Sequence, residues 1–315
     1  MKKHRILKII GIIVVVLIVI ILIGSMYLGK FTTSQFLYIN EENDTSTNSV
    51  KQLELWGYDL DEFLSTWSRS YIPVTNSDDE IIPMVQFSPE IESKGNAILV
   101  HGQGGDHISM APIAEMYLKN GYTVFAIDLR SAGMSALKEV TFGIKESEDL
   151  IYVVDFVNEL NSDPIIVHGQ SMGAATAALY GAKKHSHNNI DYLILDSSYS
   201  SMADMIEGVM LDMGMEKIVV NYSMFYSNVY MRIFKGFEFK DGDVFEAAKK
   251  IVTPTLVIQS AYDEIAPIEV GQAIYEYIPL SGYSKDYLLL SSKHVEGIID
   301  FPEKYEEAVF KLIGY

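Results

Sequence analysis

The chain has 315 residues, 49% hydrophobic and 21% charged, with 24 Lys and Arg against 42 Asp and Glu, a net charge of −18 and no cysteine. The lack of cysteine excludes a disulfide scaffold, a thiolate zinc site, an iron–sulfur cluster and a cysteine nucleophile. The apolar fraction is too high for a disordered chain, and the length suits one large domain with a sizeable core.

Residues 1–30 hold Lys2, Lys3, Arg5, Lys8 and Lys30 and no acid, which leaves 19 bases against 42 acids in the rest. A surface that negative repels phosphate backbones, so nucleic acid is not an expected partner. Between Lys8 and Lys30 the 21 residues IIGIIVVVLIVIILIGSMYLG carry no charge. At 1.5 Å per helical residue they cover about 30 Å, the thickness of a bilayer core. The reading is a transmembrane signal anchor over 9–29 with a cytoplasmic basic tail over 1–8. The basic tail places everything after Lys30 on the extracytoplasmic side by the positive-inside rule. The competing readings are a cleaved secretory signal, which would show a shorter apolar core and a small-residue cleavage site, and a buried core helix. Residues 30–50 read as a polar stalk, because Asn40 to Ser49 lack apolar side chains and should stay solvated.

Thereafter strand and helix signals alternate. Trp67 to Val74 and Ile81 to Phe87 flank a polar turn and predict an antiparallel hairpin. Strands are predicted at Ala97 to Val100, Tyr122 to Ile127, Ile165 to Val167, Tyr192 to Leu195, Thr255 to Ile258 and Asp286 to Leu290. Helices are predicted at Met110 to Asn120, Glu146 to Leu160, Ala174 to Lys184 and Pro302 to Ile313. Apolar strands separated by helices indicate a mostly parallel central sheet covered on both faces, within a domain spanning 51–315. In such sheets chemistry sits beyond the carboxyl ends of the strands.

Four strand ends carry reactive residues. Gly169-Gln170-Ser171-Met172-Gly173 follows a strand and opens a small-residue helix. A nucleophile on such a turn projects its hydroxyl over the sheet, and the helix N-terminus favours developing negative charge. His101-Gly102-Gln103-Gly104-Gly105 ends an earlier strand. A backbone N–H from that loop, at Gln103, and the N–H of Met172 form a candidate oxyanion hole. A serine needs a base, and the base needs a carboxylate to fix its tautomer. Of the three histidines downstream of Ser171, His185 and His187 sit on a polar helix end and only His294 lies directly after an apolar strand; Asp263, after the strand at Thr255, is the matching acid. Asp196 competes as the acid, with a helix-capping role beside Ser197 and Ser198 as its other reading. His185 and His187 read as surface residues rather than metal ligands.

These residues, together with Asp128-Leu129-Arg130-Ser131-Ala132-Gly133-Met134-Ser135, resemble the α/β-hydrolases from about Leu53 to Tyr315. The resemblance is to the bacterial branch of serine aminopeptidase (S33)-like and monoacylglycerol-lipase-like hydrolases with an N-terminal anchor. The D-x-R-G-x-G-x-S loop of that family has Ser131 here where glycine is usual. The resemblance implies catalysis by Ser171, Asp263 and His294, no metal or organic cofactor, and a lid inserted over 197–250. Half of the 14 methionines fall between Met202 and Met231 in that insertion. They read either as an adaptable acyl pocket or as ordinary packing, with Met205, Val209 and Met213 covering the core. The expected activity is cleavage of a small-molecule carboxylic ester or acyl substrate. An S33-like peptidase, an acyltransferase and a non-catalytic surface-displayed binding module are the alternatives, and the oligomeric state is not encoded.

Overall fold

The structure is a computed structural model that describes residues 2–38, 44–280 and 284–314. The chain divides into two compact units, Met1–Leu37 with Ala203–Asp241, and Tyr38–Met202 with Gly242–Tyr315.

In chain order the structure runs α1 (Lys2–Leu37), α2 (Thr45–Leu55), α3 (Leu60–Thr66), β1 (Ser68–Thr75), β2 (Ile81–Ser88), β3 (Asn96–Val100), α4 (Ala111–Lys119), β4 (Thr123–Ile127), α5 (Glu146–Leu160), β5 (Ile165–Gln170), α6 (Met172–Gly181) and β6 (Tyr192–Asp196). It continues with α7 (Met202–Asp212), α8 (Lys217–Phe234), α9 (Val244–Ala248), β7 (Thr255–Ser260), α10 (Ile268–Tyr277), β8 (Lys285–Leu290), α11 (Gly297–Asp300) and α12 (Pro302–Ile313). The eight strands form one sheet in the order β1-β2-β4-β3-β5-β6-β7-β8. β2 runs antiparallel to both neighbours and every other pairing is parallel. β3 and β5 are buried along their whole length, the mark of a sheet covered on both faces. Right-handed crossovers through helices are what such parallel pairings require.

Two readings need correction. The described residues within 30–50 are not a solvated stalk. α1 continues to Leu37, residues 39–43 lie outside the described residues, and Thr45–Leu55 is a helix capped by Asp44, whose carboxylate accepts the Thr47 N–H. Its polar residues are buried because they find partners: Ser49 Oγ accepts from Asp106 N at 3.1 Å and Thr45 Oγ1 from Gly133 N at 2.8 Å. In the inserted segment, Met202, Ile206 and Met210 form the buried stripe of α7, whereas Val209 and Met213 are exposed. The packing phase therefore differs from Met205, Val209 and Met213.

The first unit contains α1, whose stretch from His4 to Leu37 is long and apolar enough to cross a membrane and whose most apolar part is not buried. In the second unit, the loop after β4 is fastened by a buried ion pair. Arg130 donates to Asp149 at 2.6 and 2.9 Å and to Glu80 at 2.9 Å. Ser131, beside it, adopts φ 60°, a conformation that glycine reaches without a Cβ penalty. Because Arg130 is buried, removing its main partner leaves a desolvated charge. Asp149→Ala is expected to cost about 3–5 kcal/mol, and a melting curve of the full chain in detergent should show the hydrolase unit's midpoint about 6–15 °C lower.

Candidate active site

The geometry around Ser171 starts with a constraint on the backbone. Ser171 has φ 56°, between the last residue of β5 and the first of α6. The turn is tight enough that a Cβ at Gly169 would lie 2.1 Å from the Gly173 carbonyl oxygen, and one at Gly173 would lie 1.9 Å from that of Val100. No side chain fits at either position, so both must be glycine. The Ser171 N–H donates to the Asp196 carbonyl at 2.8 Å, and the Ser171 carbonyl accepts from Ala174 and Ala175, which starts the helix.

Ser171, Asp263 and His294 meet in one hydrogen-bonded chain. His294 Nε2 is 2.9 Å from Ser171 Oγ and His294 Nδ1 is 2.7 Å from Asp263 Oδ2. The Asp263 side chain is fully buried, and its other oxygen accepts from the backbone N–H groups of Ile265 at 2.9 Å and Ala266 at 2.7 Å. Those two donors hold the carboxyl group oriented toward the ring. The hydrogen bonds assign the tautomer: Nδ1–H donates to Asp263, and Nε2 is left to accept from the serine hydroxyl. Met172 is the first residue of α6, where N–H groups have no intrahelical partner. Gly102 is packed against Ser171, since a Cβ there would meet Ser171 Cβ at 3.1 Å, and half-buried Gln103 follows it in the chain.

Asp196 is neither the partner of His294 nor a helix cap. It ends β6 and is buried, accepting from Gln170 Nε2 at 3.1 Å, Tyr305 Oη at 2.8 Å and Ser197 Oγ at 3.1 Å. Burial pushes its carboxyl up, with those three donors opposing. Behind it runs a buried relay: Tyr117 Oη and Tyr305 Oη flank His168 at 3.1 and 2.9 Å. Burial lowers His168 to about 3, so the ring is neutral, accepting from one tyrosine and donating to the other. Gln170 also donates to the Val295 carbonyl at 3.2 Å, which ties the residue after His294 to the serine turn. Neither Gln170 nor Tyr305 was identified from sequence. The sequence signals were that Gln170 is one of the two variable residues of the G-x-S-x-G run and that Asp196 ends a strand.

His101, His107 and His185 have structural partners. His101 is buried and pushed toward neutrality by desolvation, donating from Nδ1 to the Gly102 carbonyl at 2.7 Å and accepting the Leu129 N–H at Nε2. His185 does have a carboxylate neighbour, Asp155, at 2.8 Å. Asp106, His107 and Asp128 lie close enough together to hold a metal ion. Their oxygens already accept protein hydrogen bonds: Asp128 from His107 and Met134, and Asp106 from Ile108 and Ser46.

The parallel sheet with one antiparallel strand and a serine on the turn after its fifth strand is the α/β-hydrolase fold, and the chain is an α/β-hydrolase in fold. The sequence model of the family described as serine aminopeptidase, S33, matches residues 91–231. YqkD, an uncharacterized protein of Bacillus subtilis (strain 168), is 24% identical over 252 residues, covering 79% of this chain and 80% of that protein. The solved Pyrococcus furiosus esterase Pf2001 superposes with a TM-score of 0.63 at 22% identity, over 81% of this chain and 95% of its own. A highly thermostable carboxyl esterase from Bacillus coagulans in complex with glycerol gives a TM-score of 0.59 at 17% identity, over 79% and 98% of the two chains.

The His107–Asp128 pair yields a pH dependence. Burial disfavours the His107 imidazolium, but the hydrogen bond and charge of Asp128 outweigh it and raise the pKa above 6.5. A raised folded-state pKa adds stability that is fully present below the unfolded value and is lost as pH rises through the folded value. The thermal midpoint lost on His107→Gln should therefore be larger at about pH 5.5 than at about pH 9. An equal loss at both would mean that the pair is not ionic.

Proposed function

We propose that this chain is a membrane-anchored serine hydrolase that cleaves carboxylic esters through an acyl-enzyme, with its hydrolase domain on the extracytoplasmic side. The observation that carries the reading is the unbroken hydrogen-bond chain from Asp263 through His294 to Ser171 at three strand ends. His294 Nε2 takes the Ser171 proton as Oγ attacks the ester carbonyl. Asp263 stabilises the resulting imidazolium and holds its orientation. The N–H groups of Met172 and Gln103 receive the negative charge that develops on the carbonyl oxygen. The imidazolium then protonates the departing alcohol. Water, deprotonated by the same nitrogen, attacks the acyl-enzyme and releases the acid with Ser171 restored.

The Pf2001 and Bacillus coagulans structures carry esterase names, which supports ester cleavage on this fold. The match to the S33 description favours a second reading, a peptidase using the same three residues. Anchoring rests on the uncharged run within α1, and the orientation on Lys2, Lys3 and Arg5 before it.

The test is fluorophosphonate labelling of the full chain in detergent, followed by turnover of p-nitrophenyl esters with two to sixteen carbons. Labelling should vanish in Ser171→Ala. Asp263→Asn should lower kcat by about 10³–10⁴-fold through loss of the productive tautomer. A wild-type chain that labels but cleaves only aminoacyl anilides would support the peptidase reading. Ester products appearing with an added alcohol would indicate acyl transfer. A folded chain that neither labels nor turns over any of these substrates would overturn the proposal.

A further inference from the structure

The loop that follows β3 has little to hold it from within. Gly102, Gly104 and Gly105 surround Gln103. The Gly105 N–H donates to the Gly102 carbonyl at 3.4 Å, which closes a turn with Gln103 and Gly104 at its centre, and Gly104 has φ 79°. Among the described residues the Gln103 N–H makes no hydrogen bond, as a donor kept for a substrate oxygen requires. Glycine has more backbone freedom to lose than any other residue, so that single long bond leaves the turn free to shift. Its position depends on how its two ends are fixed. The upstream end is fixed by β3 and by the packing of Gly102 on Ser171.

The downstream end is held by α2. Asn48 Nδ2 reaches the Gly104 carbonyl at 3.5 Å, and Ser46 Oγ donates to Asp106 Oδ2 at 2.5 Å. The buried Asp106 N–H donates to Ser49 Oγ at 3.1 Å, and Ser49, itself fully buried, donates to the Thr45 carbonyl at 2.9 Å. The other Asp106 oxygen accepts the Ile108 N–H at 3.0 Å, so the residue that closes the glycine loop is bonded through backbone and side chain alike. The far end of α2 is fixed in turn, since Leu53 is buried in the core and Trp56 Nε1 donates to Glu296 Oε1 at 3.3 Å. A helix packed for burial alone would carry an apolar stripe through its first turns. This one carries Thr45, Ser46, Asn48 and Ser49 there, and three of those four reach the loop.

We propose that Ser49 and Ser46 are positioning residues for the oxyanion loop, so that α2 takes part in catalysis through the placement of the Gln103 N–H. This inference rests on the serine hydrolase reading above. An oxyanion donor acts on charge that is present only in the transition state, so misplacing it lowers kcat and kcat/KM together. Loosening the loop costs less than deleting a donor, which is worth about 10²–10³-fold in kcat.

The test uses the full chain in detergent, with active sites counted by fluorophosphonate labelling taken to completion and ester kinetics read per labelled site. Ser49→Ala should lower kcat and kcat/KM equally, by about 10–100-fold. It should weaken the binding of an alkyl boronic acid, a mimic of the tetrahedral intermediate, by the same factor. The acid limb of the pH profile of kcat/KM, set by His294, should not move. Ser46→Ala, at an exposed position, should show the same pattern at smaller amplitude, and it decides the matter if Ser49→Ala does not fold. Controls separate positioning from stability: Thr47→Ala lies on the exposed side of the same helix, and Val153→Ala lowers the thermal midpoint from the core face of α5. Both should leave kcat per labelled site unchanged. If the wild-type chain turns over esters and both serine variants keep kcat within about twofold, the positioning role is overturned and the hydrolase reading stands. A shifted acid limb would mean that the serines act through His294, and an equal loss in Thr47→Ala would mean that the helix has merely loosened; either result overturns the proposal. A folded wild-type chain that neither labels nor turns over substrate removes the hydrolase reading and this inference with it.

Discussion

The strand-to-helix turn at Ser171 is the constraint on which the rest of the hydrolase unit depends. A serine at φ 56° gives up about 1–3 kcal/mol relative to ordinary backbone, and it is held there by what surrounds it. β5 is paired on both sides, by β3 and β6. Every residue of α6 is buried, and its alanines let it lie close to the sheet. The chain has no room to relax, because Gly173 rests on the Val100 carbonyl and Gly169 on Gly173. That packing fixes the direction of the Ser171 hydroxyl and the placement of the Met172 N–H together. It also explains why the glycine loop at Gly102 can approach the serine side chain.

The same strain recurs at neighbouring strand ends. Ser197, just after β6, has φ 56°, and Val295, just after His294, has φ 57°. A β-branched residue does not adopt that conformation unless its surroundings impose it. For Val295 the imposing contact is Gln170, which donates one N–H group to its carbonyl and one to Asp196. Asp196 in turn receives Tyr305, which receives His168, which receives Tyr117. In this relay each donor finds one acceptor, so a carboxyl and an imidazole can be buried without a paired charge. Asp196 is thus committed to positioning the loop that carries His294, its oxygens accepting from Gln170, Tyr305 and Ser197, while Asp263 hydrogen-bonds the ring.

The fold was legible in the sequence wherever burial was one-sided or complete. Glu146–Leu160 and Pro302–Ile313 are helices with the bounds that their spacing predicts, because each lays one apolar stripe on the sheet. The inner parallel strands carry short apolar runs, such as residues 97–100 in β3 and 165–167 in β5, and the hairpin of β1 and β2 follows from its polar turn. Thr45–Leu55 was not legible. Its first turns hold no apolar side chain, and they are helical because Asp44 caps them and because Gly133 and Asp106 offer N–H groups to Thr45 and Ser49. No local pattern encodes partners that lie 57 and 88 residues away. The Met-rich helix failed differently: Met205, Val209, Met213 and Met202, Ile206, Met210 are both apolar stripes at helical spacing, and only the packed structure decides between them. At the candidate site, chain order and strand ends were enough to bring Ser171, Asp263 and His294 together. The supporting groups were hidden, since Gln170 and Tyr305 belong to no motif.

Close backbone approach through small residues appears in both units, in settings with different energetics. At Gly173 the missing side chain lets α6 settle on β3 within a core whose cohesion comes from removing apolar surface from water. At Gly29 it lets α1 and α8 meet in a unit where most apolar side chains of α1 face outward and the buried stripe of α8 mixes Val220 and Met231 with Ser223 and Ser227. Dispersion across a tight contact and the Ser25–Tyr222 and Ser227–Gly29 hydrogen bonds add to that burial. Contacts of that kind tolerate apolar surroundings, because they lose nothing when water is replaced by hydrocarbon. The hydrolase unit is the reverse case: its acidic surface and its charged networks, such as Arg130 with Asp149, depend on water outside and exact pairing within.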